Sequence, residues 1–292
     1  MKDFAGKTAV VTGAASGIGR ALAERFANAR MRVVLADIEK DALDRAVREL
    51  EDRQHRVLGV VTDTMRRESV QALAERAIAE FGKVHVLCNN AGIAAQLGGT
   101  KPVWEISDAD WQWTMGVNFW GVLYGLQAFV PHMVGHGEPG HVVNTASLAG
   151  LMPGGGPYGV SKHGVLALTE SLDRDLKERN ARIGASVLCP GFVNTNIFDA
   201  ERNRPAALRQ PNDPTTSPFA EAGRALLAMG KQPAEVADIV FRSIEEDRFY
   251  ILPHPAWDDF VRGRFEHVLA RGAPITFDFA EMMRRRAAGE QF

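Results

Sequence analysis

Cysteine is scarce in this chain, with two in 292 residues. Cys88 and Cys189 both lie in apolar, strand-like runs, which suits buried, reduced thiols in the cytoplasm better than a disulfide framework. No run of 18 apolar residues occurs, so no membrane-spanning helix is expected. Strand-like sequence begins at Thr8 with no apolar leader of the secretory kind before it, and a cytoplasmic location is expected. An excess of one charge is also lacking: 34 Lys and Arg stand against 36 Asp and Glu, a formal net charge of -2. That balance gives no electrostatic case for nucleic acid or an anionic membrane. Eight histidines are present, among them His132, His136 and His141, but none falls into HExxH or another ligand spacing. No catalytic metal is expected.

The chain is 46% hydrophobic, enough for one large α/β domain or two small ones. Short apolar runs alternate with amphipathic ones. TAVVT (8–12), MRVVLAD (31–37), HRVLGVV (55–61), VHVLCN (84–89), HVVNTAS (141–147), IGASVLC (183–189) and FYIL (249–252) read as strands. Between them 17–29, 39–52, 66–81, about 107–134, 157–179 and PAEVADIVFRSIEED read as helices. Strands this continuous in Val, Leu and Ile belong to a parallel sheet covered on both faces. The expected fold is α/β: a doubly wound, Rossmann-like parallel sheet of about seven strands in a single domain over 1–252. Residues 253–292 are expected to form a helical extension of that domain. A TIM barrel also alternates strand and helix, but has no reason to carry a glycine-rich turn after its first strand.

That turn is present. Thr12-Gly13-Ala14-Ala15-Ser16-Gly17-Ile18-Gly19 joins the first strand to the first helix. Gly13 permits a tight turn, Gly17 a close backbone approach to a pyrophosphate, and Gly19 close helix–strand packing; the helix N-terminus offers amides and a positive dipole end. In a βαβ unit this points to a dinucleotide. Asp37 ends the second strand, where a carboxylate can bond the adenosine ribose and repel a 2′-phosphate. Neither Ser16 nor Ile38 offers a compensating cation, so NAD is expected. Asp37 can also cap the helix that follows.

The chemistry centres on Ser147 to Lys162. Tyr158 and Lys162 stand four apart in a segment that reads as one long helix, so phenol and ammonium share a face. The Gly/Pro-rich link 150–157 can bring the Ser147 hydroxyl back toward Tyr158. A phenol titrates near pH ~10 in isolation, and a fixed cation nearby lowers that value, which would let Tyr158 act as a general base. Taken alone, the two letters are equally compatible with a buried phenol and a solvated lysine.

The rest of the chain resembles the short-chain dehydrogenase/reductase family. The glycine turn has that family's TGxxxGxG form. Asp63 follows the third strand, Asn89-Asn90-Ala91-Gly92 matches NNAG, Asn118 in VNFWGV matches the helix asparagine, and Pro190-Gly191 matches the turn after the sixth strand. The resemblance implies a catalytic set of Asn118, Ser147, Tyr158 and Lys162. It implies cofactor contacts at Gly13, Ser16, Gly17, Ile18, Gly19, Asp37, Asp63, Thr64, Asn90, Ala91, Gly92, Tyr158, Lys162, Pro190, Gly191, Val193 and Thr195. Tyr158 would take the substrate proton, Ser147 hold the substrate oxygen, Lys162 lower the phenol's pKa and bond the nicotinamide ribose, and Asn118 hold a relay water. A homotetramer or homodimer is implied, paired through about 107–134 and 157–179. The stretch WQWTMGVNFWGVLYGLQAFV, apolar nearly all round, agrees.

Residues 192–232 form a long insertion before the last helix, at the carboxyl ends of the strands, where open α/β sheets bind ligands. Phe192, Val193, Ile197 and Phe198 are expected to wall one side of a substrate site, and Leu148, Leu151 and Met152 the other. A cover over 199–215 and a short helix from AEAGRALLAMG would close it. The expected substrate is a hydrophobic secondary alcohol or ketone. A reductase using NADPH and a non-catalytic nucleotide sensor are the other readings. His163 is expected to turn away from Tyr158. Trp104, Trp111, Trp113 and Trp120 are read as core or subunit packing, and Arg284-Arg285-Arg286 as a solvated helix end.

Overall fold

The computed structural model describes residues 1–94, 101–209 and 218–275, with the backbone alone for 218–222. The triple arginine 284–286 and the middle of the insertion, 210–217, lie outside the described residues.

Seven parallel strands form one sheet in the order β3-β2-β1-β4-β5-β6-β7. They are β1 (Thr8–Thr12), β2 (Arg32–Asp37), β3 (Val57–Val61), β4 (Val86–Asn89), β5 (Gly140–Thr145), β6 (Ile183–Leu188) and β7 (Tyr250–Ile251). The order reverses between β1 and β4, and the loops after those strands part there to leave a crevice at the carboxyl edge. All five residues of β1 are buried, as a strand covered on both faces requires.

Helices α1 (Gly17–Asn28), α2 (Lys40–Asp52) and α3 (Arg67–Phe81) follow the first three strands. On α1, Leu22, Ala23, Phe26 and Ala27 repeat at helical spacing and are buried. Phe26 meets Phe241 of a later helix at 6.0 Å between rings. The long helix expected over 107–134 divides into α4 (Asp108–Met115), one π-helical turn (Gly116–Trp120) and α5 (Gly121–His136). The π turn carries Asn118, and such turns recur at functional sites. α6 (Gly156–Glu178) runs 23 residues with Pro157 in its first turn, where the missing amide would have no partner anyway. Its buried face holds Tyr158, Ser161, Lys162, Val165 and Thr169. α7 (Pro218–Ala228), α8 (Pro233–Glu245) and α9 (Asp258–Leu269) are the remaining helices among the described residues. Both cysteines are free and buried, with burial pushing Cys189 up to about 12.

Candidate active site

The loops after six strands converge on one cavity of about 650 Å³. At one end, Gly13 turns with φ +65, and a Cβ there would sit 2.9 Å from the Cα of Ala91. Only glycine lets the first loop lie against the fourth. Thr12 joins the same two loops: its hydroxyl accepts from the amides of Asn90 at 3.0 Å and Ala91 at 3.1 Å. The Asn90 side-chain Nδ2 in turn donates to the Thr12 carbonyl at 3.1 Å. The Ser16 side chain makes no capping bond and α1 has no acid in its first turn. A helix N-terminus of that kind, facing a cavity, suits an anionic group.

Asp37 lies beside this turn, its Oδ2 accepting from the Ala15 amide at 2.9 Å and its Oδ1 from the Glu39 amide at 3.0 Å. Burial raises its pKa, opposed by those backbone bonds. Asp63, Thr64, Gly92, Pro190, Gly191, Val193 and Thr195 line the cavity along with Gly13, Ser16, Gly17, Ile18, Asn90 and Ala91.

The other end is built where β5 faces α6. Gly154, Gly155 and Gly156 all take positive φ, at 91, 83 and 51. That run of left-handed residues lets the chain double back, so Ser147 after β5 and Tyr158 in the first turn of α6 face the same space. Tyr158 is 6% exposed and Lys162 2%. The Lys162 ammonium lies 5.7 Å from the centre of the Tyr158 ring and donates to the Thr145 carbonyl at 2.9 Å. The Ser147 hydroxyl accepts from the Ala149 amide at 3.1 Å and donates to the Pro190 carbonyl at 3.4 Å.

Here the structure corrects the expected electrostatics. Burial raises the Tyr158 pKa, with a bond to Ser147 opposing it only in part. Burial also brings Lys162 down to about 8. The cation lies on the phenol's side of α6 yet does not overcome the loss of solvent, because desolvation acts on both groups at full strength.

A family model described as short chain dehydrogenase matches residues 7–206. The chain belongs to the short-chain dehydrogenase/reductase family. A short-chain dehydrogenase/reductase from Burkholderia phymatum, solved in complex with NAD, superposes with a TM-score of 0.91 at 45% identity, covering 95% of this chain and 99% of that one. A CLA biosynthesis dehydrogenase/reductase of Lactiplantibacillus plantarum is 35% identical over 94% of this chain and 97% of its own. A 1-deoxy-11-beta-hydroxypentalenate dehydrogenase of Streptomyces exfoliatus is 36% identical over 90% and 88%.

Three expected residues of this short-chain dehydrogenase stand elsewhere than the cavity wall. Gly19 is absent from the lining; it is packed so closely that a Cβ would overlap the Gly13 carbonyl. Asn118 is fully buried behind the lining, its Oδ1 accepting from the Ile93 amide at 2.9 Å. Its Nδ2 donates to the Ile93 carbonyl at 3.0 Å and to Ser161 at 3.1 Å. Both donors of that amide are thus engaged by protein, and the side chain ties the loop after NNAG to α6. Leu151 belongs to the core behind Leu148, whereas Leu148, Met152, Phe192, Val193, Ile197 and Phe198 line the cavity as expected.

Two other lining residues, and one residue that holds the lining from behind, were not read from the sequence. Trp113 and Trp257 both face the cavity, so Trp113 does more than fill the core. His254, 2% exposed, accepts from the Gly191 amide at 3.0 Å and bonds the Phe192 carbonyl at 3.0 Å. That pair of partners requires the neutral Nε2–H tautomer, and burial lowers its pKa. A lone histidine after the last strand carries no signal of this contact. His163 does turn away from the phenol, toward Arg264 at 2.9 Å.

The described part of the insertion includes short turns. Residues Ile197–Asn203 and Ala206–Leu208 form 3-10 turns. Between them Arg204, 3% exposed, donates to Asp110 at 2.8 Å and twice to Glu201 at 2.6 and 2.7 Å. Its guanidinium lies 4.2 Å from the centre of the Trp113 ring.

Proposed function

We propose that this protein oxidises a hydrophobic secondary alcohol with NAD, Tyr158 acting as general base. The observation that carries the reading is the single cavity: its one end holds the glycine turn and Asp37, its other end Ser147, Tyr158 and Lys162. The donor set fits a dinucleotide. The uncapped start of α1 suits a pyrophosphate, and the Asp37 carboxylate suits ribose hydroxyls while repelling a 2′-phosphate. Bound there, NAD supplies the hydride acceptor.

The chain's own residues move the proton and hold the substrate. Ser147 donates to the carbinol oxygen and fixes it next to the Tyr158 hydroxyl. Tyr158 accepts the hydroxyl proton as the carbonyl forms, and returns it in the reverse direction. Lys162, still protonated at neutral pH with a pKa of about 8, favours phenolate and can bond the nicotinamide ribose. Asn118 and His254 act through backbone, holding the Ile93 and Gly191 loops in register. The apolar wall of Leu148, Met152, Ile197 and Phe198 favours a bulky alcohol, gaining ~25 cal/mol for each Å² that it buries.

The test is a panel of secondary alcohols with NAD, followed by NADH absorbance. Faster turnover of small polyols than of bulky aromatic or alicyclic alcohols defeats the substrate reading. We also propose a homodimer or homotetramer paired through about 107–134 (α4, the π-helical turn and α5) and α6, where Trp120 of the π turn is 45% and Val160 of α6 49% exposed. A monomer at micromolar concentration in sedimentation would refute it.

A further inference from the structure

Glu39 follows Asp37 by two residues, and its partner comes from a strap 163 positions along the chain. Arg202 donates to both of its carboxylate oxygens, at 3.2 and 2.5 Å, and Asn203 adds a third bond at 2.9 Å. Arg202 holds the Glu39 carboxyl below its ordinary pKa. The backbone amide of Glu39 bonds Asp37, and Asp37 bonds the glycine turn. The first loop, the acidic residue and the strap are therefore one connected set.

Glu39, Asp37, Arg202 and Asn203 all line the cavity. The side chains of Arg202 and Glu39 are 40% and 30% exposed, so the pair adds little to folding. Arg204, two residues on, already ties the strap down through a buried ion pair. A second, exposed anchor at the mouth of the cleft is not required for stability. Its charge matters for another reason. Among the described residues lining the cavity, the cations are Lys162 and Arg202, and Lys162 stands at the chemical end. Arg202 is thus the cation on the side of the cleft where Asp37 would hold the adenosine ribose, and Glu39 occupies it.

We propose that Glu39, Arg202 and Asn203 form a latch across the adenosine end of the cleft, and that Glu39 sets cofactor choice by neutralising Arg202. The inference rests on the reading that the cleft takes NAD. Closed over a bound dinucleotide, the latch slows its departure. Released from Glu39, Arg202 becomes a partner for a 2′-phosphate, a charge-assisted contact that guanidinium suits.

The test compares NADH and NADPH dissociation rates and affinities, by nucleotide fluorescence, in wild type, Glu39→Gln, Arg202→Gln and the double variant. Glu39→Gln should speed NADH release about three- to tenfold and tighten NADPH by a similar factor. Arg202→Gln should speed NADH release as much but leave NADPH weak. The double variant should release NADH no faster than either single one, since each breaks the same contact. The charge swap, Glu39→Arg with Arg202→Glu, should restore slow NADH release, which a merely structural role would not predict. Wild-type NADH release in Glu39→Gln, or additive effects in the double variant, overturns the latch while leaving the NAD reading intact. If wild type binds neither nucleotide, the NAD reading and the latch fail together. Thermal melts confirm that each variant is folded.

Discussion

The floor of the cleft is assembled from the ends of six parallel strands, its roof from one strap of 3-10 turns. On the floor, Gly13, Asp37, Asp63, Asn90, Ser147 and Pro190 each stand within two residues of a strand's last ladder position. None can move without the sheet moving. The roof hangs on two arginines two residues apart: Arg204 in a buried pair with Asp110, Arg202 in an exposed pair with Glu39. The difference is one of rigidity. Proton transfer needs fixed distances, which the sheet supplies; exchange of ligands needs contacts that open at small energies, which an exposed pair supplies.

The sharpest way to break the comparison is to cut the buried anchor. Arg204→Ala leaves Asp110, itself 2% exposed, without its cation, and should lower stability by ~3–5 kcal/mol in denaturant titration. Arg204→Lys should recover only part, since an ammonium cannot reproduce the fork to Asp110 and Glu201. Wild-type stability in Arg204→Ala would mean that the roof is held by something else.

On the floor, Tyr158→Phe keeps the ring and removes the proton acceptor. Turnover should fall ~10²-fold, about 2.7 kcal/mol, with cofactor affinity nearly unchanged. Because burial raises the Tyr158 pKa, phenolate becomes available only as pH climbs. Oxidation by wild type should therefore quicken as pH climbs above neutral, whereas reduction, which needs the phenol, should hold until pH passes that raised pKa. A flat profile between neutral pH and 10 would speak against Tyr158 as base.

Asp37→Ala tests the nucleotide end of the floor. The preference for NAD over NADP should narrow by about tenfold, ~1.4 kcal/mol, read as the ratio of kcat/KM values. An unchanged ratio would place the discrimination elsewhere, with the Glu39 latch the first candidate. The smallest effect belongs to the roof's apolar face. Phe198→Ala removes roughly 40 Å² of contact, about 1 kcal/mol, from a bulky alcohol and little from a small one. Equal losses for both would show that Phe198 does not touch substrate.

Local pattern carried most of the floor into view before any coordinates. The seven apolar runs set the sheet because a strand buried on both faces must be apolar throughout. The glycine turn and the four-residue spacing of Tyr158 and Lys162 act within one loop and one helix, so their geometry follows from chain period alone. Ser147 came within reach because three glycines with positive φ fold the link back.

What the sequence could not determine depends on residues far apart meeting across the crevice. The Glu39–Arg202 and Asp110–Arg204 pairs join positions 163 and 94 apart, and His254 reaches Gly191 from 63 away. No periodicity links such partners. The direction of the Tyr158 pKa was likewise decided in three dimensions, since the loss of water raises it, the bond to Ser147 lowers it, and burial prevails. Sequence alone determined the fold, the glycine turn and the phenol–ammonium pair, each written in short-range spacing. Tertiary structure decided how the roof is anchored, which asparagine donors are engaged and how solvent-poor Tyr158 is, because packing density and burial exist only once the chain has closed on itself.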